Sequence, residues 1–186
     1  LGKLGDGYVV ASETCAFDLI GATYECEIDP GEIVYIDKKG VQSERIPVKN
    51  KKSMCIFEHV YFARPDSKVF GDSVHLVRKE MGRQLARQNK VDADLVMSIP
   101  DSGNSAALGY AEESGVPFEF GMTRNHYVGR TFIQPNQKNR DFSVRVKLNP
   151  IKETLEGKSV VVVDDSLVRG TTSKHRVKTI RDAGAK

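Results

Sequence analysis

The chain has 186 residues, 39% of them hydrophobic and 28% charged, and 28 lysines and arginines against 25 acidic residues leave a net charge of only +3. This composition is typical of a globular protein, and so weak a positive charge gives no reason to expect a nucleic-acid partner. Because no apolar run approaches the ~20 residues that cross a bilayer, we expect a soluble, cytoplasmic protein without a membrane partner.

The first part of the chain, residues 1 to about 52, is predicted to be rich in β-strands. Short runs with strand character at 7–11, 23–28, 33–36 and 41–46 are punctuated by turn sequences at 29–32 and 37–40. This pattern favours an antiparallel meander. The polar residues that follow, around 48–53, mark a candidate domain boundary.

Beyond that boundary the pattern changes to alternating strands and helices. The predicted strands are 55–62, 95–99, 117–120 and 160–163, and the predicted helices are 72–88, 102–114 and 171–183. In the first helix, Val74, Val77, Met81 and Leu85 fall on one stripe, which we expect to face the core. Alternation of this kind indicates β-α-β crossovers and a parallel sheet.

The most informative stretch begins with four valines at 160–163, which read as a central strand covered on both faces. Asp164 and Asp165 follow, at the end of the strand where such sheets bind ligands. The next residues are short, flexible or basic enough to surround a phosphate: Ser166, Arg169, Gly170, Thr171 and Thr172. Thr171 or Thr172 could also cap the next helix. The alternative is a buried strand followed by an ordinary acidic turn.

A loop of the same kind occurs earlier in the chain, at 98–105, where the strand at 95–99 passes into a helix. Asp101, Ser102 and Gly103 are polar or small, so the unpaired N–H groups of the helix can face an anion. Taken alone, a helix start capped by Asp101 or Ser102 explains this sequence about as well.

Between the two loops, residues 123–150 are long, polar and basic. Their six cations face a single acid, Asp141, and the cations are Arg124, Arg130, Lys138, Arg140, Arg145 and Lys147. A connection of this length in a compact domain is typically a functional lid or a disordered segment. We expect a hood that folds over a polyanion, and the alternative is a solvated basic connector.

The segment 159–173 resembles the phosphoribosylpyrophosphate (PRPP) motif of type I phosphoribosyltransferases. The strings at 127–135, 62–67 and 14–18 closely resemble the glutamine PRPP amidotransferase family. This resemblance implies an α/β, type I phosphoribosyltransferase fold with a central parallel sheet at 53–186, incomplete at its C-terminus. It implies that residues 1–52 are the last, β-rich part of an N-terminal-nucleophile (Ntn hydrolase) glutaminase domain.

The reaction implied by the resemblance transfers glutamine-derived ammonia to C1 of PRPP. The products are 5-phosphoribosylamine, pyrophosphate and glutamate, in the first committed step of purine biosynthesis. The family's glutaminase nucleophile is an N-terminal cysteine, and Cys15, which is internal, cannot take that role. Two other readings remain open: a PRPP-binding regulator, and a phosphoribosyltransferase that salvages free purine bases.

The resemblance also implies roles for individual residues. Arg124, Tyr127 and Arg130 of the hood would be catalytic, and Ser102, Asp164 and Asp165 would hold Mg²⁺. The residues implied in PRPP binding are Asp101, Ser102, Gly103, Asp164, Asp165, Ser166, Arg169, Gly170, Thr171 and Thr172. Purine nucleotides would act as feedback inhibitors, and the enzyme would be a homo-oligomer, a tetramer by resemblance.

Cys55 stands where a subset of the family places the first of four cysteine ligands to a [4Fe–4S] cluster. A small buried hydrophobic residue is the alternative interpretation. Because the chain opens on Leu1 and closes soon after the helix at 171–183, we expect an incomplete protein. Made alone, residues 1–186 are predicted to be inactive and prone to associate, since a sheet without its later strands exposes an edge.

Overall fold

A computed structural model of the protein describes residues 1–47, 52–125 and 148–186. These residues form two compact units, 1–77 and 78–186. The predicted division into a glutaminase part and a transferase part near residue 52 stays a prediction.

The first unit is rich in short antiparallel strands, as expected. Strand β1 (Gly2–Leu4) lies between β2 (Gly7–Val9) and β3 (Thr23–Tyr24), and both pairings are antiparallel. Helix α1 (Cys15–Ile20), which the strand pattern did not predict, connects β2 to β3 and buries Phe17. It ends at Gly21, whose φ of 71° supplies the left-handed turn that helix ends commonly use.

The predicted meander is confirmed in its second half. Strands β4 (Glu32–Asp37) and β5 (Gly40–Arg45) form an antiparallel hairpin in which Asp37 pairs with Gly40. A second, smaller hairpin joins β6 (Lys68–Val69) to β7 (Asp72–Ser73). The turn predicted at 37–40 is therefore confirmed.

The strand expected at 55–62 is wrong. The segment Glu58–Phe62 is a π-helical turn, in which the Ala63 N–H donates to the Glu58 carbonyl over 3.0 Å. Its aromatic and branched residues favour a strand only where a neighbouring strand and a buried face are present. Phe62 is instead 66% exposed, so this condition is not met.

The helix predicted at 72–88 is present as α2 (Val74–Gln88), but its expected core stripe is confirmed only in part: Val74 is buried, whereas Val77 and Met81 are half-buried. Leu85 is 41% exposed, whereas the buried stripe consists of Val74, Arg78, Gly82 and Ala86. Gly82 has no side chain because a neighbouring backbone comes very close to it. A Cβ added at Gly82 would lie 1.9 Å from the Ala106 carbonyl oxygen.

The second unit contains the predicted parallel sheet. Strand β8 (Leu95–Ser98) pairs in parallel with β11 (Val160–Val163), so that Leu95 lies opposite Val160 and Ser98 opposite Val163. The segment expected at 117–120 adds one parallel bridge, between Phe118 and Val96. The mixed α/β class with a parallel sheet is therefore confirmed.

Among the described residues, three further helices and one antiparallel strand pair belong to this unit. They are α3 (Asn104–Ser114), α4 (Lys152–Leu155), α5 (Thr171–Asp182) and the antiparallel pair of β9 (Met122–Arg124) with β10 (Leu148–Pro150). Alternate residues of β8 enter different cores: Leu95, Met97 and Ile99 join one cluster, and Val96 joins the other. Burial on both faces explains the continuous apolar character of β8 and β11.

In the parts of the chain that the structure describes, we find no helix with both the length and the apolar surface of a membrane span.

Candidate active site

Two polar loops leave the same edge of the parallel sheet. Because Ser98 and Val163 are paired, the chain segments that follow them start side by side. The Ile99 N–H donates to the Val163 carbonyl over 2.9 Å, which extends the contact one residue past β8. The carboxyl ends of parallel strands are where ligands of such sheets bind, so this edge is the candidate active site.

Gly103 allows the first loop to lie against the end of β11. Its φ of −76° suits any residue, so backbone conformation is not the reason for a glycine. A Cβ at this position would lie 2.7 Å from the Val163 carbonyl oxygen and 3.0 Å from that of Ile99. Both neighbours are backbone atoms that cannot turn away. A side chain here would therefore push the first loop away from β11.

The first loop, 99–103, is built mainly by backbone contacts. The Gly103 N–H donates to the Ile99 carbonyl over 3.1 Å, and the Asn104 N–H donates to the Asp101 carbonyl over 3.2 Å. The bond between Pro100 and Asp101 is a cis peptide. Gly103 is the N-cap of α3, and no side chain caps this helix. The capping interpretation of Asp101 and Ser102 is therefore wrong, and both side chains remain available for another role.

Asp101 instead meets the predicted hood residue Arg124. The Arg124 Nη1 lies 2.9 Å from Asp101 Oδ2, and the two side chains are 43% and 55% exposed. Arg124 is the last residue of β9, so the strand positions its guanidinium beside the first loop. Solvent screens a pair this exposed, and it adds little stability. Its guanidinium is thus a cation that an incoming anion can recruit at little cost.

In the second loop, residues 164–170, both carboxylate oxygens of Asp164 accept hydrogen bonds from other residues of the chain. Asp164 Oδ1 accepts the Asp165 N–H over 3.1 Å, and Asp164 Oδ2 accepts Arg176 Nη1 over 2.5 Å. The Asp165 carboxylate is engaged differently, because its Oδ1 accepts the Ser166 hydroxyl over 2.5 Å. The two acids therefore have unlike surroundings, although they are neighbours in sequence.

The rest of the second loop is exposed and ends at Gly170. This glycine has a φ of 73° and is the N-cap of α5, and the Lys174 N–H donates to its carbonyl over 2.8 Å. Thr171 and Thr172 already belong to the helix and do not cap it, so the capping role predicted for them is wrong. Arg169, Thr171 and Thr172 are all exposed, so a phosphate can reach them.

The donor set at the strand ends suits Mg²⁺. Among the residues that the structure describes, no group of three or more His, Cys, Asp or Glu side chains could hold a metal on its own. Mg²⁺ commonly takes only one or two carboxylates and completes its shell with water and substrate phosphates. Asp164 and Asp165 fit that pattern, and Ser102 adds a hydroxyl from the facing loop.

Three of the predicted functional residues need separate mention. Tyr127 and Arg130 lie outside the described residues, so their catalytic roles stay predictions. Cys55 is a free, exposed thiol, and its interpretation as a small buried residue is wrong. Its role as a cluster ligand stays a prediction.

Comparison with known proteins addresses the family. No protein-family model matches the chain. Amidophosphoribosyltransferase of Bacillus subtilis is 53% identical to it over 185 residues, and the chloroplastic amidophosphoribosyltransferase 1 of Arabidopsis thaliana is 57% identical over 187. Both alignments cover 100% of this chain. This chain matches part of an amidophosphoribosyltransferase.

Solved structures give the same result. A structure described as the allosteric regulatory enzyme of purine biosynthesis superposes with a TM-score of 0.91 at 53% identity. The B. subtilis glutamine PRPP amidotransferase in complex with ADP and GMP also gives 0.91 at 53% identity. The chain spans 39% and 33% of the two curated amidophosphoribosyltransferases, and 40% and 41% of the two solved chains.

Sequence reasoning missed one residue of the candidate active site. Arg176 lies two turns into α5 and contacts Asp164, twelve residues earlier. The signal was its spacing, because Ser173, Arg176, Ile180 and Ala183 recur every three or four residues and form the less exposed face of the helix. An arginine on such a face requires an anionic partner, and the acid at the start of the motif supplies it.

Proposed function

We propose that the full-length protein is an amidophosphoribosyltransferase. It displaces pyrophosphate from C1 of PRPP by ammonia derived from glutamine, and so commits material to purine biosynthesis. The identity of 53% and 57% to enzymes of that name over the whole chain supports this proposal. The structural observation that supports it is the close approach of Gly103 to the Val163 carbonyl, which places the loop 99–103 beside the end of β11, where the loop with the acidic pair begins.

This arrangement suits a substrate with an anion at each end. In the proposed complex, the 5′-phosphate lies at the loop 166–172, where backbone N–H groups and hydroxyls can surround it. The pyrophosphate lies at Asp101, Ser102 and Gly103, and the ribose lies between the two loops. Asp165 accepts hydrogen bonds from the ribose hydroxyls. The first loop lies against the end of β11 through backbone atoms, so in this proposal both anion sites start from the same sheet edge.

Catalysis in this proposal is positional and electrostatic. As the C1–O bond lengthens, the sugar gains positive charge and the departing pyrophosphate gains negative charge. Asp164 and Asp165 lie on the sugar side, and Arg124 lies beside the pyrophosphate loop, so each charge develops next to its counter-charge. Mg²⁺, bound by Asp164, Asp165, Ser102 and the substrate, would supply further neutralisation of the leaving group. Ammonia is already a neutral nucleophile, so no described side chain has to remove its proton.

The remaining assignments are also proposals. Residues 1–52 form the end of a glutaminase domain, and 53–186 form part of the transferase domain. Tyr127 and Arg130 complete the catalytic set. The full-length enzyme is a cytoplasmic homo-oligomer inhibited by purine nucleotides, in keeping with a relative solved with ADP and GMP, although the plant relative is chloroplastic by name. Cys55 binds a [4Fe–4S] cluster together with cysteines outside this chain.

The decisive experiment measures pyrophosphate release from PRPP by the full-length protein. We expect release with ammonia or glutamine and none above background with adenine or hypoxanthine. Base-dependent release would instead indicate a salvage enzyme, and PRPP binding without turnover would indicate a regulator. Either result would overturn the proposal.

A matched pair of variants links the reaction to this site. Asp165→Asn removes the charge of the proposed ribose-binding acid, and we expect kcat/KM to fall by about 100-fold or more. Asp92→Asn removes the same charge from an exposed position that precedes β8, and it should leave kcat/KM unchanged.

A further inference from the structure

Arg176 gives the two neighbouring acids of the site different environments. Its guanidinium lies 2.5 Å from Asp164 Oδ2, and the two side chains are only 28% and 21% exposed. No comparable cation contacts Asp165 among the described residues, and its only described side-chain partner is the neutral Ser166 hydroxyl. One acid is therefore charge-compensated by the fold, and the other is not.

The contact is built into the packing of α5. Arg176 lies between Ser173 and Ile180 on the face that is turned toward the protein, whereas Val177, next in sequence, is 44% exposed. A surface arginine would have many solvated conformations, but this one is restricted by its neighbours. A charged pair that is mostly removed from water is costly to break, because each partner would be left uncompensated.

We propose that Arg176 is a positioning residue that sets the charge of the ribose and metal site. It neutralises Asp164 and fixes its carboxylate, so that the acidic pair presents about one net negative charge, carried by Asp165. The site then attracts a divalent cation without repelling the phosphates of PRPP. The part of this proposal that concerns PRPP rests on the proposed function, whereas the part that concerns cations does not.

The proposal predicts that removing Arg176 will have opposite effects on two ligands. In Arg176→Gln the acidic pair carries both charges, so a cation alone should bind more tightly and PRPP more weakly. We expect a change of about threefold to tenfold in each dissociation constant, as is typical of one unit charge at a partly solvated site. A purely structural role would weaken the binding of both ligands.

The experiment uses the full-length protein and two direct binding measurements. Mn²⁺ replaces Mg²⁺ as the probe, and its binding without substrate is followed by the electron paramagnetic resonance signal of the free ion. PRPP binding at a fixed, saturating Mg²⁺ concentration is measured by titration calorimetry. Neither readout depends on turnover.

Three further variants act as controls. Arg181→Gln removes the same charge from an exposed position of the same helix, and it should change neither constant by more than about twofold. Arg176→Lys should restore near wild-type values, because the contact is a single N–O pair and does not need the guanidinium fork. In an Asp164→Asn background, Arg176→Gln should no longer strengthen Mn²⁺ binding.

Each outcome decides the question. Equal effects of Arg176→Gln and Arg181→Gln, or parallel weakening of Mn²⁺ and PRPP binding, would overturn the proposal. If the wild-type protein fails to bind PRPP, the proposed function fails, but the Mn²⁺ comparison still tests Arg176. If Arg176→Gln does not fold, as judged by circular dichroism, Arg176→Met keeps the aliphatic stem and carries the same test.

Discussion

Replacement of Gly103 by alanine tests whether contact between the two loops sets the geometry of the site. The added Cβ would lie 2.7 Å from the Val163 carbonyl oxygen, about 0.7 Å inside the 3.4 Å at which an ordinary contact begins. Backbone strain does not contribute, because Gly103 has a φ that alanine accepts readily. The whole effect therefore comes from displacement of the first loop.

Overpacking of this kind costs about 1–3 kcal/mol. If the loop relieves the overlap by moving away from β11, PRPP must restore the contact when it binds, and its affinity falls by roughly 5- to 150-fold. We expect this loss in calorimetric titrations of the full-length Gly103→Ala variant with PRPP. The variant should release pyrophosphate with a correspondingly higher KM.

Gly7→Ala is the matched control. Its added Cβ would lie 3.5 Å from the Leu4 carbonyl oxygen, which is an ordinary contact. We expect unchanged PRPP affinity and a slightly higher unfolding temperature, because alanine restricts the unfolded chain. If Gly103→Ala bound PRPP as tightly as Gly7→Ala, the two loops would not depend on each other, and the reasoning above would be refuted.

Three more predictions concern other parts of the second unit. Gly109→Ala should lower the unfolding temperature sharply, by the equivalent of at least about 3 kcal/mol, because the Cβ would lie 1.8 Å from the Lys79 carbonyl oxygen; a calorimetric melt no lower than that of Gly7→Ala would contradict this. Arg124→Ala should change the free energy of unfolding by less than about 1 kcal/mol, since its ion pair is exposed, yet it should lower kcat/KM about 100-fold. Arg124→Lys should keep most of the activity. Equal losses of kcat/KM in both variants would argue against a role for the charge. Hydrogen bonds from Lys79 and then Arg83 lower the pKa of Glu112 below its ordinary 4.5, so the stability it contributes is present above that pH and is lost as pH falls through the lowered value. Glu112→Gln should therefore lose less stability than the wild type when low-salt melts are compared at pH 6 and pH 3.

The position of the candidate site could be predicted from the sequence because each loop follows an apolar strand directly in the sequence. Four consecutive valines identify a buried strand, and the acids that follow must lie at its carboxyl end. The same reasoning places Asp101 at the end of β8. The sequence also predicts that these two strands are neighbours, but it could not predict their register, on which the contact between Gly103 and Val163 depends.

The errors share one physical origin, which is that tertiary neighbours decide what a local pattern becomes. Residues 55–62 have strand composition, yet Glu58–Phe62 forms a π-helical turn, and among the described residues no strand pairs with it. On α2, the buried face includes Gly82 and Ala86 in place of Met81 and Leu85, since the backbone at Ala106 approaches Gly82. Arg176 was missed because its partner, Asp164, is a distant residue brought close by the fold.

The parallel ladder between β8 and β11 has a consequence for how the protein can change. The strand register sets the relative position of the loops that follow, since main-chain pairing holds Ser98 opposite Val163. Exchanges among similar aliphatic residues inside either strand leave that register intact, so the strands are free to drift in composition. A single inserted or deleted residue would shift one strand past the other, turn alternate side chains to the wrong face and displace one loop relative to the other.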